Sequence, residues 1–484
     1  MNAPLPAGIV LAALRLDRWE NDDVDRRVEE ALTLGVGGFV LFGGMAERVS
    51  RLTERIRAEA GRDLWIAADL ERGAGQQFRG LTELPPPAAL ARHPDPERAV
   101  RRAARRTARE ALGVGVNWVF APVLDIDAEP DNPIVATRSF AADPEVVARL
   151  GATWIAACQR EGALACAKHF PGHGRTTVDS HIELPVVDAS PAEIEDDLHP
   201  FCATARDVGS MMVAHVAVPA LGAERAATVS PEVVTAVLRE RFGFRGLVTT
   251  DAMIMAGVGE DGDSAAVQAL AAGCDVILYP GDVARTVEAL EQACRTDPVL
   301  AVRLAEALAT SEAALALYPG SGALMERAEP SGAGLRLALE TILEYCPNLE
   351  AWDPGRATAV VSISDDPEVG PPAGREGPLG SILAKRLSHA GWQIVDPVRE
   401  VSTQRIVVLA ATPRGWKGHG GVSEALAGRV RQELGSADRG LLVLLGHPRW
   451  LARIGVPGIC AWSTESVMER AAADWIDAQR GDSR

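Results

Sequence analysis

Eight short apolar runs recur along the first 280 residues of this 484-residue chain, at 8–14, 37–42, 64–69, 118–126, 163–170, 210–218, 247–251 and 275–279. Most are rich in valine, isoleucine, leucine or alanine and lack a two-residue alternation, as expected for strands buried on both faces. Helical patterns fill the gaps. The segment 22–34 sets Val24, Val28, Ala31 and Leu32 on one face, 96–112 is a basic amphipathic helix and 143–161 is another. The segment 231–242 opens after Ser230, a good N-cap. Strand and helix alternating eight times predicts a TIM (β/α)8 barrel. A doubly wound open sheet is the competing arrangement, but no G-x-G-x-x-G follows the first run to favour it.

A chain of 484 residues is too long for one core. An alanine- and leucine-rich helix at 301–317 is broken by Pro319-Gly320-Ser321-Gly322 and again by Pro330-Ser331-Gly332. These breaks predict a catalytic barrel domain at 1–320 and a second domain at 335–484. The second part carries strand-like runs at 358–363, 406–409, 441–445 and 458–462, with helical stretches such as 380–390 and 422–434 between them. The expected fold class is α/β, a barrel followed by a smaller α/β sandwich with parallel strands. The glycine-rich segment 415–421 lacks phosphate-loop spacing and reads as a surface loop.

The net charge of −17 argues against a nucleic-acid or anionic-membrane partner. Seven cysteines, at 158, 166, 202, 274, 294, 346 and 460, are scattered with no C-x-x-C pair, so neither a disulfide frame nor a zinc site is expected. Cys166 and Cys274 fall in apolar runs and read as small buried hydrophobes. The apolar stretch 7–14 has no basic residue before it and is far shorter than a membrane span. It reads as the first strand, of a cytoplasmic protein from a bacterium-like cell.

The polar residues are unevenly placed. From Lys168 to His181, fourteen residues hold one lysine, three histidines, an arginine and an aspartate, directly after a buried run. Asp69, Glu71 and Arg72 follow the third run, Asp125 and Asp127 the fourth; His215 sits late in the sixth and Asp251 ends the seventh. In a barrel these ends meet at one rim, where active sites lie. Taken alone, each residue also has a structural reading. Asp251 is a nucleophile or a helix-capping aspartate. Asp179 and His181 are a carboxylate fixing an imidazole for proton transfer, or a local Asp turn. Lys168 and His169 grip sugar hydroxyls or end a solvated strand.

Taken together, the residues resemble a family. Lys168-His169-Phe170-Pro171-Gly172-His173-Gly174, Asp179-Ser180-His181 and Leu184-Pro185 are similar to the signature of glycoside hydrolase family 3 β-N-acetylglucosaminidases. Asp69-Leu70-Glu71, Arg138-Ser139-Phe140, Gly246 through Met253 and Ala272-Gly273-Cys274-Asp275 extend the resemblance over roughly residues 8 to 317. The resemblance implies a barrel that retains configuration through a covalent glycosyl-enzyme, without metal or cofactor. Asp251 matches its nucleophile, His181 its acid/base and Asp179 the dyad partner. Asp69, Arg138, Lys168 and His169 match sugar-binding positions. Gly172 and Gly174 offer hinges for the histidine loop. Most retaining glycosidases use two carboxylates; here a histidine takes the second role. The sequence departs from the family after Asp69, where Gln77 holds the place of an arginine and Arg79 lies nearby.

The implied function is an exo-acting β-N-acetylglucosaminidase releasing terminal GlcNAc from muropeptides, in peptidoglycan recycling, or from chitin-type fragments. Its partner is a small carbohydrate. A neutral imidazole repels an anionic acceptor less than a carboxylate does, so a phosphorylase is the alternative. A third reading is a cell-wall-sugar binding protein without turnover, against which the intact nucleophile and dyad argue. A β-glucosidase is a lesser one, since that branch normally lacks the Asp-Ser-His loop.

Overall fold

The computed structural model describes residues 6–178, 180, 182–258, 262–320, 332–345, 352–364, 378–397, 402–411 and 422–479. All eight apolar runs are strands. They are β1 (Val10–Arg15), β2 (Gly38–Phe42), β3 (Trp65–Ala68), β4 (Trp118–Val119), β5 (Leu164–Phe170), β6 (Ser210–Val213), β7 (Leu247–Thr250) and β8 (Ile277–Leu278). They pair in parallel in the order β7-β6-β5-β4-β3-β2-β1-β8. A parallel bridge between Thr249 and Val276 draws β7 towards β8, with Thr250 N–H donating to Val276 O at 3.0 Å. The barrel expected from the sequence is therefore present, and the open sheet is not.

The seam is tied by Asp275. Its buried carboxylate accepts Val248 N–H at 2.9 Å and pairs with Arg239 and Arg303, the latter on the helix Pro298–Leu317. The start of β4 is short because the run turns irregular at Ala121 and Pro122, and a proline has no N–H for the ladder. Leu124 N–H regains a partner at Lys168 O, 2.6 Å away.

Inside the barrel Trp65 and Trp118, at the starts of their strands, pack with ring centroids 5.0 Å apart. Their indole N–H groups donate to Ser311 at 2.9 Å and Ser210 at 2.8 Å. The helix Pro298–Leu317 thus closes the bottom end, where Asn117 Nδ2 also donates to Tyr318 O at 3.0 Å. What remains accessible is the opposite rim, where the strands end.

Three outer helices open on an Asp-Pro pair, the last at Pro298 rather than at the expected 301. Asp95, Asp143 and Asp297 each precede a proline and accept a backbone N–H of the first turn, at 3.2, 2.9 and 2.8 Å. Ser190 and Glu193 form a capping box before the helix Pro191–Thr204. The segment after Ser230 differs from expectation. It winds as a π-helix over Glu232–Arg241, and the Ser230 hydroxyl donates back to Ala226 O at 2.9 Å instead of capping it.

The second sheet contains β9 (Leu343–Tyr345), β10 (Thr358–Ser364), β11 (Ile394–Val395), β12 (Gln404–Ala411), β13 (Arg439–Gly446) and β14 (Gly458–Cys460), in the order β11-β10-β12-β13-β14-β9. Its four sequence-predicted strands run parallel, and β9 adds an antiparallel edge beside β14. Helices such as Ser381–His389, Glu424–Leu434 and Ser466–Ala478 accompany the sheet. The glycine-rich segment 415–421 lies outside the described residues. Among the described residues no helix is long and apolar enough to cross a membrane.

Candidate active site

Lys168 leaves β5 at the open rim, yet it is only 1% exposed. A buried ammonium needs partners. It has two: Nζ lies 2.6 Å from Asp69 Oδ1 and 2.7 Å from Glu71 Oε1. Glu71 is gripped in turn by Arg138, whose Nη2 and Nε donate at 2.8 and 2.9 Å. Burial alone would raise the Glu71 carboxyl, but Arg138 and Lys168 hold it well below the usual carboxylate range. Burial would lower Lys168, but Asp69 and Glu71 hold it above its ordinary value. Glu71 and Lys168 are therefore held in their charged forms. Asp69, with a side chain 33% exposed, presents a carboxylate edge to the opening.

His169 stands beside this cluster. Its Nδ1 is 2.7 Å from the fully buried Asp125 carboxylate, which leaves Nε2 facing Arg138 Nη2 at 3.4 Å. Asp125 also accepts His173 N–H at 2.7 Å. Burial would raise Asp125, while His169 and His173 pull it below its ordinary value. Lys168, His169, Asp69 and Arg138 are thus brought together as the sequence reading anticipated. Gln77 lies on the neighbouring side, half-buried, with its Oε1 accepting Gly43 N–H at 3.2 Å, and Arg79 is exposed.

Asp251 ends β7 on the same rim and is half-buried. Its N–H donates to Val213 O at 3.0 Å and its Oδ1 accepts Ala252 N–H at 2.7 Å. His215 stiffens the next residue. Its Nε2 lies 3.2 Å from Ala252 O and its Nδ1 2.9 Å from the Thr228 hydroxyl. Beyond Asp251 the chain meets the histidine loop at Gly257.

That loop is held from several sides. His173 is buried, and burial lowers it to about 4, so the ring is neutral at physiological pH. It bridges Thr176 Oγ1 at 2.7 Å and Ser180 Oγ at 3.1 Å. Ser180 O accepts Gly257 N–H at 3.0 Å, which joins the loop to the segment that follows Asp251. Arg175 pairs with Asp197 at 3.0 Å and Glu193 at 3.2 Å. Asp179 and His181, on either side of Ser180, lie outside the described residues. Gly174 meets a different need from the hinge anticipated for it. A Cβ there would sit 1.9 Å from Ile126 O, so only glycine permits the approach.

Sequence reasoning missed Asn132, whose Nδ2 donates to both His173 O and Thr176 O at 2.8 Å. Nothing in its local sequence marks it. Asp125 and Glu71 were legible as rim carboxylates, but not as the anchors of His169 and Lys168. Asp127 and Arg72 turn towards the second domain, to Arg449 and to Glu465. Among the described residues no group of three or more metal-ligating side chains is present.

Residues 14–309 match the Glycosyl hydrolase family 3 N terminal domain. Over 288 residues the chain is 38% identical to a beta-hexosaminidase of Thioalkalivibrio sulfidiphilus, covering 56% of this chain and 81% of that protein. Over 305 residues it is 34% identical to a Cellulomonas fimi protein named beta-N-acetylglucosaminidase/beta-glucosidase. That match covers 60% of this chain and spans about half, 54%, of the relative. The solved glycoside hydrolase family 3 beta-N-acetylglucosaminidase of Paenibacillus sp. str. FPU-7 superposes with a TM-score of 0.84 at 25% identity, covering 99% of this chain and 97% of that one.

Proposed function

The chain belongs to glycosyl hydrolase family 3, and on that premise we propose that it is an exo-acting, retaining β-N-acetylglucosaminidase. The observation that carries this reading is the Gly257–Ser180 hydrogen bond of 3.0 Å. It ties the loop bearing positions 179 and 181 to the loop that begins at Asp251, on the rim where Asp69, Lys168, His169 and Arg138 gather.

In this reading Asp69, Lys168, His169 and Arg138 hold the hydroxyls of a terminal GlcNAc, with Gln77 beside them. Asp251, ionised, attacks the anomeric carbon while His181, held by Asp179, gives its proton to the leaving oxygen. The result is a glycosyl ester on Asp251. His181, now neutral, takes a proton from water as the water oxygen attacks the same carbon and Asp251 leaves. Two inversions give net retention.

Relatives named as hexosaminidases support a hydrolase over a phosphorylase or a binding protein. We place the substrate among muropeptides or chitin-type oligosaccharides, the work in peptidoglycan recycling, and the protein in the cytoplasm. All six cysteines among the described residues are unpaired, as in a reducing compartment. We also propose that the barrel unit ends near residue 320 and the sandwich begins near 335. Asp251→Asn should abolish release of a chromogenic aglycone from the β-N-acetylglucosaminide, with and without phosphate; wild-type turnover by that variant would refute the assignment.

A further inference from the structure

The loop after β4, residues 125–138, does more than lead to the next helix. Asp125 holds His169 and His173. Glu129 N–H donates to Gly174 O at 3.1 Å, and Asn132 Nδ2 holds His173 O and Thr176 O. Arg138 ends the loop in the sugar-binding cluster, on Glu71. One segment therefore cradles the histidine loop and positions two of the groups assigned to the sugar.

The middle of this cradle is gripped from the second domain. Arg449 opens the helix Arg449–Ile454, just after β13. Its Nη1 donates to Pro130 O at 2.8 Å and its Nη2 pairs with Asp127 Oδ2. Its Nε donates to His447 Nδ1 at 2.8 Å. The Nδ1 of His447 is thus an acceptor, so the proton sits on Nε2, 3.4 Å from Asp127 Oδ2. Burial, then Arg449 and Arg92, lowers His447 to about 3, so it stays neutral and serves as a spacer for the arginine. Asp127 is half-buried with a side chain 9% exposed, and its buried Oδ1 has no hydrogen-bond partner. Without Arg449 that carboxylate would be a buried charge with most of its compensation gone, and the loop would have to move to solvate it. The planar guanidinium fixes three acceptors at once, which a lysine does not.

We propose that Arg449 is a positioning residue: from the second domain it holds the 125–138 loop, and through Glu129 and Asn132 the histidine loop, in the register that proton delivery to the leaving group requires. The inference rests on the acid/base role proposed for His181. It gives the second domain a part in catalysis without giving it a group that touches substrate.

Leaving-group dependence separates this role from simple stabilisation. A 2,4-dinitrophenyl leaving group departs without protonation, whereas a phenyl one needs it. Arg449→Ala should lower kcat/KM on phenyl β-N-acetylglucosaminide about tenfold, a fraction of what general acid catalysis supplies, and change the dinitrophenyl value less than about twofold. Equal losses on both substrates, or none on either, would overturn the proposal. Should Arg449→Ala not fold, Asp127→Asn, which keeps the shape and removes the charge, decides by the same ratio. A wild-type protein that cleaves neither substrate would overturn the assigned activity itself, and with it this role.

Discussion

The ammonium of Lys168 and the carboxylate of Glu71 stand 2.7 Å apart with side chains only 2% and 4% exposed, and each is the other's condition for being buried. Arg138 completes the arrangement, sharing Glu71 Oε1 with Lys168 and holding Oε2 as well. Glu71→Ala would leave two cations sharing a buried site with Asp69 alone. Removing one partner of a buried ion pair costs about 3–5 kcal/mol. Urea unfolding should show a free energy lowered by that amount, and so a lower midpoint, and KM should rise because Lys168 and Arg138 lose their fixed positions. A midpoint equal to wild type would show that the cluster is solvated in solution.

Gly174→Ala should cost both activity and stability. The added Cβ would meet Ile126 O at 1.9 Å, so the backbone of the histidine loop must shift against its anchors. Displacing a catalytic loop by about 1 Å is worth roughly a hundredfold in rate. Steady-state kinetics should place the loss of activity in kcat, and thermal unfolding should show a lowered midpoint.

The contact between the domains carries a pH dependence. Glu83 accepts Val467 N–H at 2.8 Å and is pushed up to about 7, first by burial and then by Glu465, which pairs with Arg72; Arg470 opposes the shift. The folded protein thus holds this proton more tightly than the unfolded chain does, whose value is 4.5. The stabilisation is complete below pH 4.5 and is lost as pH rises through about 7. Glu83→Gln, neutral throughout, should exceed wild type in stability above pH 7 by up to about 3 kcal/mol, and the difference should close below pH 4.5. Chemical unfolding across that range measures it, and a gap that stays constant with pH would contradict it.

The barrel was legible because its signal is local: each strand is a continuous apolar run, and helix starts at Pro96 and Pro144 were read to within a residue, whereas the one at Pro298 was placed at 301. Lys168, His169, Asp69 and Asp251 were legible because they follow such runs. The partners that make them work were not. Asp125 to His169, Asn132 to His173 and Arg449 to Asp127 span 44, 41 and 322 positions, and each is fixed only by the closed fold. Asp275 sits in a family-like motif, and its carboxylate ties the barrel seam, a role its local sequence does not announce. The π-helix Glu232–Arg241 was invisible because Ser230 followed by a polar and apolar period gives the same letters as an ordinary capped helix.

The central claim is that Asp251 forms a covalent bond to the sugar. A 5-fluoro N-acetylglucosaminyl fluoride slows the second step, so the ester can accumulate and be located by peptide mass mapping. The account predicts one sugar adduct, on the peptide that contains Asp251. An adduct on any other residue, or turnover to the inverted anomer with no adduct, would contradict it.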